Sequence, residues 1–209
     1  EFRAGRVQFG GDGQLVLTTE NDRKSRTERV WRRDLTRLDD AGKLLYERST
    51  QDVYSDPGRP MSQRSLDGRS VLRQRGDRLM LSGAGASPKG NRPFVASWDV
   101  MSGDKDVIFR SGDDRYETVM GLVNGSEDEL LLRSESPSAP PQTVYFNRAT
   151  GRRVVLHRAE DPAAKFTDKI QKRLVHYMRE DGVPMNGTLY LPPNYKEGDK
   201  LPCLLWAYP

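Results

Sequence analysis

Apolar residues in this chain fall in short runs set off by turn residues, and helical spacing is rare. Gly11-Asp12-Gly13 turns the chain, and Gln14-Leu15-Val16-Leu17 follows as an apolar strand. Leu66-Asp67-Gly68-Arg69-Ser70-Val71-Leu72 repeats the form 55 positions later. Asn124-Gly125-Ser126-Glu127-Asp128-Glu129-Leu130-Leu131-Leu132 repeats it again. Asp/Asn and Gly supply the turn, and the apolar run after them enters a sheet. A half-apolar second strand follows in each unit, over residues 29–35, 93–100 and 143–149. Each closes on an Asp or Asn suited to a turn. A more polar third strand comes next, over 43–48, 105–110 and 152–158.

Three units of about 50–60 residues, each an antiparallel meander, predict a mostly β fold: a partial β-propeller of about three blades. A β-sandwich has similar strand spacing, but the ordered three-strand repeat favours the propeller. Three blades are fewer than the roughly four a ring needs, so further blades are expected upstream. The middle unit carries an insertion, Leu81 to Pro93, whose glycines and prolines predict a loop.

Past Ala159 the pattern changes. Glu160 to Phe166 is a polar, proline-containing connector. Lys172–Arg179 alternates as a strand, Glu180-Asp181-Gly182 turns it, and Val183–Leu191 returns as a hairpin partner. Leu201-Pro202-Cys203-Leu204-Leu205-Trp206-Ala207 is nearly all apolar, as in a strand buried on both faces. The boundary is placed near 160–168, giving blades over 1–162 and a second domain over 163–209.

Composition narrows the function classes. The 209 residues are 35% hydrophobic and 31% charged, with net charge +4. No apolar run reaches the ~18 residues of a membrane-spanning helix. The chain opens on Glu1-Phe2 and stops on Tyr208-Pro209 just after an apolar run, so both ends are expected to be cuts through a longer protein. The basic excess is arginine, 25 against 9 lysines, but the 30 acids are interleaved with it. A mixed solvated surface is therefore expected, with no nucleic-acid partner. The single cysteine, Cys203, excludes an internal disulfide and a cysteine-based zinc site. It is expected to be a small buried hydrophobe.

Few residues offer chemistry. No G-x-S-x-G nucleophile elbow is present. The nearest segment puts Ser87 in Gly85-Ala86-Ser87-Pro88-Lys89, with Lys89 where the elbow needs glycine. His157 and His176 lie on predicted strands with no serine–carboxylate constellation beside them. Metal-ligand spacings and phosphate loops are absent, so no metal or other cofactor is expected. Asn124 and Asn186 fit the glycosylation sequon but read better as Asn-Gly turns. The run into Tyr208 has the form of the strand before an oxyanion loop in α/β-hydrolases. The residue pattern alone leaves Tyr208 equally a packed aromatic.

Two sets of residues carry a resemblance. Asp181-Gly182-Val183-Pro184-Met185-Asn186-Gly187-Thr188-Leu189-Tyr190-Leu191-Pro192-Pro193-Asn194-Tyr195, followed by Leu201–Pro209, resembles the start of the catalytic domain in the prolyl oligopeptidase family of serine peptidases. Arg48–Gly58, Gly83–Phe94 and the Trp206-Ala207-Tyr208-Pro209 ending resemble its glutamyl endopeptidase branch. The resemblance implies a propeller followed by the first strands of an α/β-hydrolase domain, and a peptide substrate. It implies that Tyr208 donates its hydroxyl to the oxyanion. It also implies that Ser, Asp and His follow later in the chain, so these 209 residues alone should hydrolyse nothing. A non-catalytic propeller binding module, and a dipeptidyl-peptidase or esterase of the same fold, are the alternatives.

Overall fold

The computed structural model describes residues 1–37, 39, 41–136, 139–161 and 170–206. They fall into two compact units. The first spans 1–136 and 141–158, and the second begins at Ala159 and includes 137–140.

The first unit holds three antiparallel sheets of four main strands. In the first sheet, β1 (Arg3–Phe9), β2 (Leu15–Asp22), β3 (Thr27–Asp34) and β4 (Lys43–Ser49) lie side by side in chain order. The second begins with β5 (Arg59–Pro60). A separate hairpin, β6 (Ser62–Arg64) with β7 (Ser70–Leu72), intervenes before β8 (Gln74–Arg75), β9 (Arg78–Gly83), β10 (Phe94–Asp99) and β11 (Lys105–Arg110). Its order is β5-β9-β10-β11, with β8 also on β9. The third is β12 (Tyr116–Leu122), β13 (Glu129–Ser136), β14 (Ala139–Asn147) and β15 (Arg153–Arg158), again in chain order.

One turn design recurs. Where the third strand passes to the fourth, an Asp or Asn oxygen accepts backbone N–H bonds from the turn. Asp34 Oδ1 takes Thr36 N at 2.9 Å, and Asn147 Oδ1 takes Thr150 N at 2.9 Å. Asp99 Oδ1 takes Met101 N at 2.8 Å and Ser102 N at 2.9 Å. A left-handed glycine then leads into the fourth strand in all three sheets: Gly42, Gly103 and Gly151, with φ of 84°, 91° and 71°. Only glycine holds that conformation without a Cβ penalty. The Asp99 carboxyl is held below the usual range by the Ser102 and Met101 amides. The Thr36 hydroxyl and then its amide do the same for Asp34.

Burial follows the period-2 alternation of strands. On the middle sheet Leu79, Leu81 and Trp98 face one cluster with Leu15, Leu17, Leu72 and Val100, against which Leu45 and Tyr46 pack. Met80 and Val95 face the opposite cluster with Ile108, Phe109, Leu130, Leu132 and Val144. β10 is consequently buried from Phe94 through Trp98. The second cluster is locked by an edge-on contact of Phe109 and Phe146, centroids 6.0 Å apart.

The structure corrects the expected strand order. The apolar runs at 15–17 and 130–132 open the second strands of their sheets. The first strands, β1, β5 and β12, were not expected from the sequence. β5 is only two residues long, and β1 is exposed along most of its length. Leu66–Leu72 is no blade strand. Leu66 is fully exposed, and only Ser70–Leu72 pairs, in the β6–β7 hairpin. The second strand of that sheet is β9, which takes Leu81–Gly83 from the expected insertion loop.

In the second unit β16 (Gln171–Met178) pairs with β17 (Pro184–Leu191) in unbroken register from Gln171↔Leu191 to Met178↔Pro184. Gly182, at φ 83°, makes the turn, and the Arg179 guanidinium is 2.6 Å from Asp181. Asn186 lies within β17 opposite His176, not in a turn. Residues 201–206 form no strand, and Cys203, Leu204, Leu205 and Trp206 are exposed. A strand buried on both faces needs ladder partners, and none meets this run among the described residues.

Leu81→Ala should cost roughly 2–5 kcal/mol of unfolding free energy, since it opens a cavity between two sheets. Leu66→Ala should stay within about 0.5 kcal/mol. Denaturant titration of the two variants checks the contrast. The Asp34 and Asp99 carboxyls are depressed in the folded state, so their contribution is present above the unfolded carboxyl range and is lost as pH falls through the folded values. The thermal midpoint should therefore drop on acidification below about pH 4. Asp99→Asn should flatten that drop, and an unchanged acid limb in D99N would contradict the turn assignment.

Candidate functional site

The residues singled out in the sequence do not assemble into a catalytic centre within the described chain. Tyr208 lies outside the described residues. Ser87 sits in a tight turn, where its hydroxyl donates to the Gly90 carbonyl at 2.6 Å and accepts from Lys89 N–H at 3.2 Å. That hydroxyl is engaged with backbone, and no histidine or carboxylate bonds to it. His157 is exposed on β15 opposite Thr143, and His176 is exposed on β16. Among the described residues no group of three or more His, Cys, Asp or Glu could hold a metal ion.

Instead the fold brings together two loop segments quoted above, 48–58 and 83–94. Arg48, at the end of β4, is the organiser of the first. Its guanidinium donates to the Ser49 and Asp52 carbonyls at 3.2 and 3.3 Å. It also lies 3.4 Å from both Glu28 and Asp56, with its side chain only 13% exposed. Asp56 Oδ1 in turn accepts the Gly58 N–H at 2.9 Å. The carboxylates that neutralise the buried guanidinium thereby fix the course of the loop into β5.

The second segment closes on the first through glycine. Gly58 has φ 91°, and a Cβ there would meet the Ser82 carbonyl at 3.0 Å and Phe94 at 3.2 Å. A Cβ on Gly83 would meet the Phe94 ring at 2.5 Å and the Gly58 Cα at 3.1 Å. Both glycines are required by close approach of backbone and ring. Lys105 Nζ ties the contact down by donating to the Pro57 carbonyl at 2.7 Å. Burial pulls that ammonium below its usual range. The Arg110 guanidinium lies 5.1 Å from the Phe94 ring centroid.

Beside this junction is a cavity of about 510 Å³. Tyr46 and Trp98, centroids 6.2 Å apart, supply an aromatic wall. Arg6 from β1, Arg59 from β5, and the Arg48–Glu28–Asp56 cluster supply the charge. Burial first, and then the Glu28 charge, push the Tyr46 hydroxyl up to about 12, so it is a fixed donor at neutral pH. Sequence reasoning missed this site. Arg48 and Asp56 stood in a quoted motif, but nothing in the sequence joined them to Arg6 or Trp98.

No family model matches the chain. Curated relatives do. The chain is 33% identical to a protein of Oryza sativa subsp. japonica named "Probable glutamyl endopeptidase, chloroplastic", across 95% of this chain and 23% of that one. It is 34% identical to a protein of the same name from Arabidopsis thaliana, across 97% and 23%. It thus spans about a quarter of the length of these relatives. Among solved structures, oligopeptidase B from Leishmania major superposes with TM-score 0.51 at 9% identity, over 97% of this chain and 33% of that chain. The fold is mostly β, a partial propeller of about three blades followed by the first strands of an α/β-hydrolase domain. The chain is a segment belonging to the prolyl oligopeptidase family, in its glutamyl endopeptidase-like branch.

Proposed function

We propose that the full-length protein containing this chain is a serine peptidase that cleaves peptides, after glutamate, through an acyl-enzyme. The observation that carries the reading is the identity to two proteins named as glutamyl endopeptidases, which holds along nearly the whole chain. In this reading residues 1–162 are propeller blades and 163–209 open the hydrolase domain. The Ser, Asp and His of the triad belong to the part of the relatives' length that these residues do not span.

The chemistry assigned to this chain is that of Tyr208. As a serine Oγ attacks the scissile carbonyl carbon, the C=O π electrons move onto oxygen and the serine proton passes to the histidine. The Tyr208 O–H donates to that oxyanion, alongside a backbone N–H next to the serine. A donor aimed at developing charge stabilises the transition state more than the ground state, and so raises kcat.

Tyr208→Phe in the full-length enzyme should lower kcat/KM on a Glu-containing peptide about 10²-fold, with the loss in kcat. A value near wild type would sink the oxyanion role. Blocked Glu-containing endopeptides should be cleaved, and substrates with a free N-terminal dipeptide should hold no advantage. The reverse preference would favour a dipeptidyl-peptidase.

A further inference from the structure

We propose that the cavity between β1–β4 and β5 in the first unit is a carboxylate-binding site, in which Arg6 and Arg59 grip an acidic group against the Tyr46–Trp98 wall. This goes beyond peptidase activity and does not depend on it. Arginines of the first two sheets fall into two sets. Arg29 is paired with Glu47 at 2.6 Å, Arg48 with Glu28 and Asp56 at 3.4 Å, and Arg78 with Asp106. Arg6 and Arg59, on the first strands, have no ion-pair partner among the described residues. Guanidinium carries five donors in a planar fork that fits a carboxylate with two parallel bonds. Two such groups without a carboxylate partner at one cavity present N–H donors from which an anion can accept.

The remaining lining agrees with that sign. Glu28 and Asp56 also line the cavity, but both are engaged by the buried Arg48. Three guanidiniums against two carboxylates leave the wall net positive. The Tyr46 hydroxyl and the Trp98 indole N–H make no hydrogen bond to the described residues, and both can donate. The volume, about 510 Å³, lies in the range that holds small ligands or a short peptide stretch. Arg59 is also prepositioned. It follows Gly58, whose backbone is pinned by Asp56 and by the contact with Phe94. A site held on rigid elements loses less freedom on binding.

The carboxylate has two sources, an acidic peptide segment or a free dicarboxylate, and calorimetry on the full-length protein, its nucleophilic serine first blocked with a fluorophosphonate so that no peptide is cleaved, separates them. The probes are acetyl-Ala-Glu-Ala-Glu-amide, its Gln counterpart, and glutarate. The Glu peptide or glutarate should bind at least ~10-fold tighter than the Gln peptide, in line with loss of a charge-assisted bond. Tighter binding of the peptide than of glutarate assigns the site to peptides, and the reverse assigns it to free dicarboxylates. Arg59→Gln and Arg6→Gln should each weaken the acidic probe about 10-fold, with Arg59→Lys retaining part of the affinity. Arg158→Gln removes one positive charge from β15, away from the cavity, and should leave binding unchanged. All variants should keep the wild-type thermal midpoint, since neither arginine has a partner to lose. Equal binding of Glu and Gln peptides, or equal losses in R59Q and R158Q, would overturn the assignment.

Discussion

The first unit depends on one constraint: the middle sheet is covered on both faces. Leu79 and Leu81 point one way and Met80 the other, so a single strand stitches two otherwise separate cores together. Burial of apolar area is the main favourable term in folding, at roughly 25 cal/mol per Å². Each neighbouring sheet has one well-covered face and supplies half of a cluster. This explains how a chain only 35% hydrophobic builds continuous packing. Its buried apolar residues are richest on β9 and β10, which need two buried faces, while strands such as β1 and β15 remain largely exposed.

Parts of this arrangement were legible in the sequence for clear physical reasons. The second, third and fourth strands of the outer sheets stand out because apolar runs alternate with Asx and glycine turns, and those turns recur at Asp34, Asp99 and Asn147. The hairpin over 171–191 was legible for the same reason. The first strands were hidden. Arg3–Phe9 and Arg59–Pro60 join their sheets mainly through backbone ladders, which leave no hydrophobic signature. Leu66–Leu72 misled because Asp-Gly followed by Val-Leu makes a hairpin whether or not that hairpin belongs to a blade. Only Leu72 of that run enters the core.

The site was less legible than the fold. Loop segments 48–58 and 83–94 pointed to a branch of the family, yet their meeting at Gly58, Gly83 and Phe94 is a tertiary fact. So is the division of 25 arginines into those with carboxylate partners and those without. Charge patterning along the chain shows acids interleaved with bases. It does not show which guanidinium finds which carboxylate across 28 positions, as Arg78 finds Asp106. Ser87 is the converse case. Its sequence neighbourhood approached a nucleophile motif, and its hydroxyl is spent on holding a turn closed.

The strand order within the sheets bears on how the chain reaches its native state. In two of the three sheets the strands lie in the order in which they are synthesised, each paired with the one before. Such ladders close short loops, which keeps contact order low and lets a sheet form before the next one exists. The middle sheet breaks this rule, because β5 must wait across the β6–β7 hairpin for β9. That ladder closes across an intervening hairpin. Its closure fixes the loop carrying Arg59 to the middle sheet.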